Sequence, residues 1–120
     1  MKPAILIMTF CLIALNAFAN GIENSTPNQR ASIQTQFMIS KLGLNADQSA
    51  KITSLNLKYA ELMEPILKGS DGFLAKRQKG KAIMDSKDSE LKTILSPEQI
   101  NRYNDLKDDL KEEVDKKLNN

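Results

Sequence analysis

An all-α fold of four helices, paired as two hairpins, is what this sequence predicts, and three observations predict it. Apolar residues recur at three- and four-residue spacing over long stretches of the chain. Nowhere do apolar and polar residues alternate for long enough to make a strand. The phrase "LNADQ" at Leu44 to Gln48 also returns as "LSPEQ" at Leu95 to Gln99, fifty-one positions later, each time with the chemistry of a turn into a new helix.

The first nineteen of the 120 residues read as a separate segment. Lys2 gives a positive start, and an apolar run from Ala4 ends in the small-residue pattern Ala17-Phe18-Ala19. That is the three-part layout of a signal peptide, cleaved after Ala19. The run is sixteen residues long and contains Asn16, short of the roughly 20 that a spanning helix needs, so no stable membrane insertion is expected after cleavage. Lipidation at Cys11 is not expected, because Phe10 stands where a small residue is required.

The remaining chain, Asn20 to Asn120, holds no cysteine and no histidine, and sixteen Lys/Arg face fifteen Asp/Glu. Export would permit disulfides, yet none can form, so packing alone must stabilise the fold. The near-neutral balance argues against nucleic acid as a partner. Core material is thin: Phe37, Tyr59, Phe73 and Tyr103 are the aromatics of this part, and tryptophan is absent. Such a chain would make a lean compact domain or, at least as readily, elongated helices that complete their burial in a homodimer.

Residues 20 to 28, polar and turn-prone, read as a flexible leader. A helix follows from about Gln29 to Leu42, with Ile33, Phe37 and either Met38 or Lys41 on one side, and Gly43 supplies a left-handed stop. A second runs from Ala46 to Lys68 with Ile52, Leu55, Tyr59, Leu62, Met63, Ile66 and Leu67 in register, and Pro65 in its last turn. The sequence Gly69-Ser70-Asp71-Gly72 is the clearest break.

The third helix spans about Phe73 to Leu95. Its apolar line of Phe73, Leu74, Ile83, Met84, Leu91 and Ile94 is interrupted by the basic stretch Lys76 to Lys81. Gly80 within that stretch costs about 1 kcal/mol relative to alanine. The fourth runs from Pro97 to about Leu118, with Ile100, Tyr103, Leu106, Leu110, Val114 and Leu118 as its stripe.

The repeated phrase compresses a helix-turn-helix joint into five residues. Ser96 can accept the amide proton of Gln99, and Gln99 can reach back to the amide of Ser96, which makes a capping box. Pro97 falls at the first helical position, where its missing N–H is no loss, and Glu98 sets negative charge against the helix dipole. Asn45, Gln48 and Asp47 repeat the scheme. Leu44 and Leu95 precede the caps, where an apolar side chain staples the new first turn. At the same offset Lys51, Ile52, Leu55, Tyr59, Met63 and Leu67 match Arg102, Tyr103, Leu106, Leu110, Val114 and Leu118. The chain thus reads as two copies of one unit.

Leu-(Thr/Ser/Asn)-x-x-Gln, present twice in a small exported helical protein, resembles the LTxxQ family of Spy- and CpxP-like envelope-stress proteins of the bacterial periplasm. The resemblance covers about Phe37 to Leu110, within a helical domain of residues 29 to 120. It is carried by Leu44, Asn45 and Gln48 and by Leu95, Ser96 and Gln99. Asn45 and Ser96 stand where the family commonly has threonine, and both remain competent caps.

The resemblance implies an elongated four-helix subunit, an antiparallel dimer shaped as a shallow cradle, and a periplasmic location. It also implies ATP-independent holdase activity on unfolded or misfolded envelope proteins, captured on a concave face that mixes positive charge with apolar groups. The matching residues here are Lys76, Arg77, Lys79 and Lys81 beside Phe73, Leu74, Ile83 and Met84, with Lys51, Lys58 and Arg102 elsewhere.

Two other readings stay open. One is a regulator docking on the periplasmic domain of a sensor kinase, using the same face. The other is a small structural oligomer whose C-terminal helix forms a coiled-coil seam. No cofactor is expected, and a metal site is weakly supported: Met38, Met63, Met84 and scattered carboxylates have no ligand spacing. Nor is an enzyme expected, because the exported part lacks a histidine base, a cysteine nucleophile and a phosphate-cradling loop.

Overall fold

The computed structural model describes residues 24 to 119. The expected signal peptide, its cleavage point and residues 20 to 23 of the leader lie outside that range. Five α-helices make up the described chain: α1 Pro27–Leu42, α2 Ala46–Leu67, α3 Phe73–Ile94, α4 Pro97–Asp105 and α5 Lys107–Asn119. Among the described residues there is no strand, and no helix is long and apolar enough to cross a membrane.

Helix α1 begins two residues before its expected start. Thr26 is its N-cap, accepting from the Gln29 amide at 3.1 Å, while the Thr26 amide donates to Gln29 Oε1 at 2.8 Å. Pro27 fills the first turn. Thr26, Pro27 and Asn28, read above as the end of a flexible leader, therefore build a third capping box. Ser25 is buried, and the buried Arg30 guanidinium donates to its carbonyl at 2.9 Å and its hydroxyl at 2.8 Å. Gly43 closes α1 at φ 63° and ψ 47°, a left-handed conformation that glycine adopts without a Cβ penalty.

Helix α2 lies against α1 on one side and α3 on the other, and is the spine of the molecule. Its buried face is Ile52, Leu55, Asn56, Tyr59 and Ala60. Met38 and Leu42 from α1, Leu91 and Leu95 from the end of α3, and Tyr103, Leu110 and Val114 complete one core cluster. Of the two alternatives on α1, Met38 is buried and Lys41 is exposed. Asn56 is fully buried, and its side-chain amide donates to Thr35 Oγ1 at 2.9 Å, pinning α2 to α1.

Two expectations change. The continuous fourth helix is broken at Leu106, whose amide is shared between the carbonyls of Arg102 and Tyr103 at 3.0 and 3.1 Å. This tight turn shifts the register, and α5 then packs on α1 instead of closing onto α3. The apolar line of α3 also divides. Leu91 is buried and Ile83 and Ile94 are half-buried, but Phe73, Leu74 and Met84 are exposed. The first half of α3 has too few partners to bury them, since only Lys87 and Leu91 of this helix are fully enclosed. The molecule measures 58 × 36 × 22 Å, with a radius of gyration of 16.8 Å. A compact chain of about 100 residues would have about 13 Å.

Candidate functional site

The two joints meet. Asn45 Oδ1 accepts from the Gln48 amide at 2.7 Å, and Ser96 Oγ accepts from the Gln99 amide at 3.2 Å. Each glutamine Oε1 in turn receives the amide of its own cap, at 3.1 Å for Gln48 and 2.9 Å for Gln99. The free end of each side chain then crosses to the other joint. Gln48 Nε2 donates to the Ile94 carbonyl at 3.1 Å, and Gln99 Nε2 to the Leu42 carbonyl at 3.2 Å. Those carbonyls end α3 and α1, where intrahelical donors have run out. Each motif thus caps the helix that follows it and the helix that enters the other motif. Leu95 is buried in the core, and Leu44 packs against it half-exposed.

At the opposite end of α2 the chain turns through residues 68 to 72 and starts α3 at Phe73, with Gly72 as N-cap and no side-chain capping bond. Phe73 is 76% exposed and Leu74 72%. The basic stretch follows at once. Arg77 is exposed. Lys76 Nζ donates to the Leu67 carbonyl at 3.4 Å, tying the new helix to the end of α2. Lys79 pairs with Asp71 at 2.5 Å and holds that carboxyl below its usual range, and Lys81 pairs with Asp85 at 2.8 Å, which holds the ammonium above its usual range. These four cations thus share two carboxylates, and the stretch stays net positive. Exposed pairs of this kind contribute little to stability.

The remaining expected contact residues are scattered. Lys51 is exposed and pairs with Asp47 at 3.2 Å one turn earlier. Lys58 lies over the Tyr59 ring, 5.1 Å from its centroid, and binds Glu90 at 2.7 Å, which raises the lysine and lowers the carboxyl. Arg102 donates to the Lys41 carbonyl at 3.3 Å, beside the joints. Only Phe73, Leu74, Lys76, Arg77, Lys79 and Lys81 share one short helical stretch, with Ile83 and Met84 a turn further on.

Because α5 rests on α1, a groove stays open between α3 and α5, floored by α1 and α2. It has a volume of about 620 Å³ and a largely apolar lining that includes Met63, Leu67, Met84, Leu110 and Val114. Lys107 bridges α5 to α3 through Asp88 at 2.7 Å and lies 5.4 Å from the centroid of Tyr103. Burial pushes the Tyr103 phenol well above its ordinary range.

Lys87 is the residue that sequence reasoning missed. It is 2% exposed, lines the groove, and donates to Gln34 Oε1 at 2.7 Å. Burial pulls its ammonium down to about 8. A signal was present: Lys87 falls four residues from both Ile83 and Leu91, on the apolar stripe itself. Arg30 is similar. Its buried guanidinium forms an ion pair with Glu64, which also binds Lys68 at 2.5 Å, and the two cations hold that carboxyl below its usual range, Lys68 contributing most. Among the described residues no group of three His, Cys, Asp or Glu is placed to hold a metal ion.

A family model described as a domain of unknown function, DUF4890, matches residues 19 to 103. No curated protein and no solved structure is significantly similar to the chain.

Proposed function

We propose that this chain, which belongs to the DUF4890 family, is an exported, ATP-independent holdase that captures unfolding envelope proteins. The observation that carries the reading is the start of α3, where Phe73 and Leu74 stand exposed immediately before Lys76, Arg77, Lys79 and Lys81. Full burial of a large apolar side chain contributes about 1.5–3 kcal/mol, and these two leave most of it unrealised within the subunit. Net positive charge draws a polar, fluctuating chain in from a distance, and a modest apolar contact then retains it without demanding one sequence. Met63 and Met84 extend the surface into the groove with side chains that adapt their shape.

Further support comes from the paired joints, which are the point of likeness to Spy- and CpxP-like proteins. In the proposed working form two copies pair antiparallel into a shallow cradle. The slender dimensions of the subunit favour this, as does the exposure of Ile39 and Leu62 outside the core.

The deciding experiment is suppression of aggregation of an unrelated protein by the purified chain, without nucleotide. Delayed light scattering at near-stoichiometric ratios is expected. No delay at several-fold excess removes the holdase reading and leaves docking on a sensor domain in its place. Sedimentation at micromolar concentration is expected to show a dimer.

A further inference from the structure

The groove between α3 and α5 combines an apolar lining with one buried cation that the fold leaves under-partnered. Its volume of about 620 Å³ is that of a small-molecule site, which commonly spans about 300–1,000 Å³. The Lys87 ammonium can donate three hydrogen bonds. Among the described residues a single acceptor takes one of them, the neutral Gln34 Oε1 at 2.7 Å. The adjacent Asp88 attracts this charge but forms no ion pair with it: its Oδ2 receives Lys107 at 2.7 Å, and its buried Oδ1 has no hydrogen-bond partner among the described residues. Arg30, the other buried cation of the lining, is satisfied by Glu64 and Ser25. A buried charge without a directly hydrogen-bonded counter-ion is a standing cost. At a position that only needed filling, leucine or methionine would serve better.

We infer that this groove binds a free fatty acid, its carboxylate completing the Lys87 ammonium and its chain lying along Met63, Met84 and Leu110. The Lys87 ammonium selects the head group, and the apolar lining selects the tail; Asp85, Asp88, Asp108 and Asp115 also line the groove and are offset by Arg30, Lys107 and Lys111. An extended peptide suits the groove poorly. Its walls and floor are helical, so their backbone donors and acceptors are already spent within the helices and offer no edge to pair with. The inference does not depend on the holdase reading.

The experiment is calorimetric titration of the purified protein with dodecanoate below its micellar concentration, beside methyl dodecanoate and dodecyltrimethylammonium. One dodecanoate per chain is expected, with both comparison amphiphiles at least tenfold weaker. From octanoate to dodecanoate the affinity is expected to rise about fourfold per added methylene. Lys87→Met, which keeps the volume and removes the charge, is expected to weaken dodecanoate at least tenfold and leave the methyl ester unchanged. Circular dichroism verifies that this variant is folded. Equal binding of acid and ester, many molecules per chain, or indifference to Lys87→Met would each overturn the proposal. So would a groove that stays closed to dodecanoate while Lys87→Met disperses a sedimenting dimer, which would assign it to a second copy of the chain.

Discussion

The side-chain amides of Gln48 and Gln99 hydrogen-bond reciprocally, Nε2 of each to Oε1 of the other, at 2.7 and 3.2 Å. Fifty-one residues separate them, so a phrase written twice in the sequence closes on itself in space. Each of these glutamines also caps its own helix and the end of another. Replacing either with alanine therefore removes several bonds, and about 1–2 kcal/mol of stability should go with them. The double variant should cost less than the two single losses added, by about 0.5–1 kcal/mol, because the first substitution already breaks the shared bonds. Urea unfolding of the four proteins checks this, and strict additivity would show that the contact carries no coupling.

The three N-caps offer a second test. Asn45→Ala, Ser96→Ala and Thr26→Ala should each lower stability by about 1 kcal/mol. Thr26 stands apart from the glutamine pair, so its effect should add to either of the others. A Thr26 variant with an unchanged unfolding midpoint would mean that this third capping box contributes nothing to the folded domain.

Lys87 makes stability depend on pH in an unusual direction. Its folded value of about 8 lies below the ordinary 10.5, so between those values the unfolded chain binds more protons. Stability then rises with pH from about 8, and the cost of the buried charge is fully present below that. The shift corresponds to about 3 kcal/mol. Lys87→Met should be more stable at pH 7 by up to that amount and should lose the rise. Tyr103, raised by burial, acts oppositely above about pH 10, so the comparison belongs between pH 7 and 9.5. Parallel stability curves for the two proteins would refute the assignment.

Two glycines should respond to alanine with opposite signs. At Gly69 an added Cβ would sit 2.6 Å from the Pro65 carbonyl oxygen, and backbone must move, at about 1–3 kcal/mol. At Gly80 the nearest atom is the Met63 Cε at 3.5 Å, an ordinary contact. The interior of α3 should then gain about 0.5–1 kcal/mol from the better helix former. Thermal unfolding distinguishes the two.

For the proposed client surface, exchanging Lys76, Arg77, Lys79 and Lys81 for glutamine should slow capture and flatten its dependence on salt. Phe73→Ser with Leu74→Ser should weaken retention while changing stability by no more than about 0.5 kcal/mol, because both side chains are already exposed. Unaltered chaperoning by both variants would move the surface elsewhere.

Helix positions were legible in the sequence because periodicity and capping agreed at each joint. The contact between Gln48 and Gln99 was not, since a capping box is a local pattern and says nothing about which other helix end lies beside it. The box at Thr26 is less legible because Ser25 stands where the other two joints carry leucine. The break at Leu106 left no mark either: Leu106 fits the apolar stripe equally well in a straight helix. Burial of Lys87 and Arg30 was hidden by the habit of reading charged residues as solvated, although both occur at spacings that face the core.

The glutamine contact lies at one pole of the α2–α3 pair, and the turn through residues 68 to 72 lies at the other. At the first pole Leu91 and Leu95 are enclosed and the helix ends are fastened across chain segments. Toward the second, α3 has no buried residue before Lys87 and is tied mainly by lysine contacts to Leu67 and Asp71. Protection against deuterium should therefore fall steadily along α3 from Ile94 back to Phe73, like a zip fixed at one end. The surface offered to other molecules is then the part of the chain that opens first and most often.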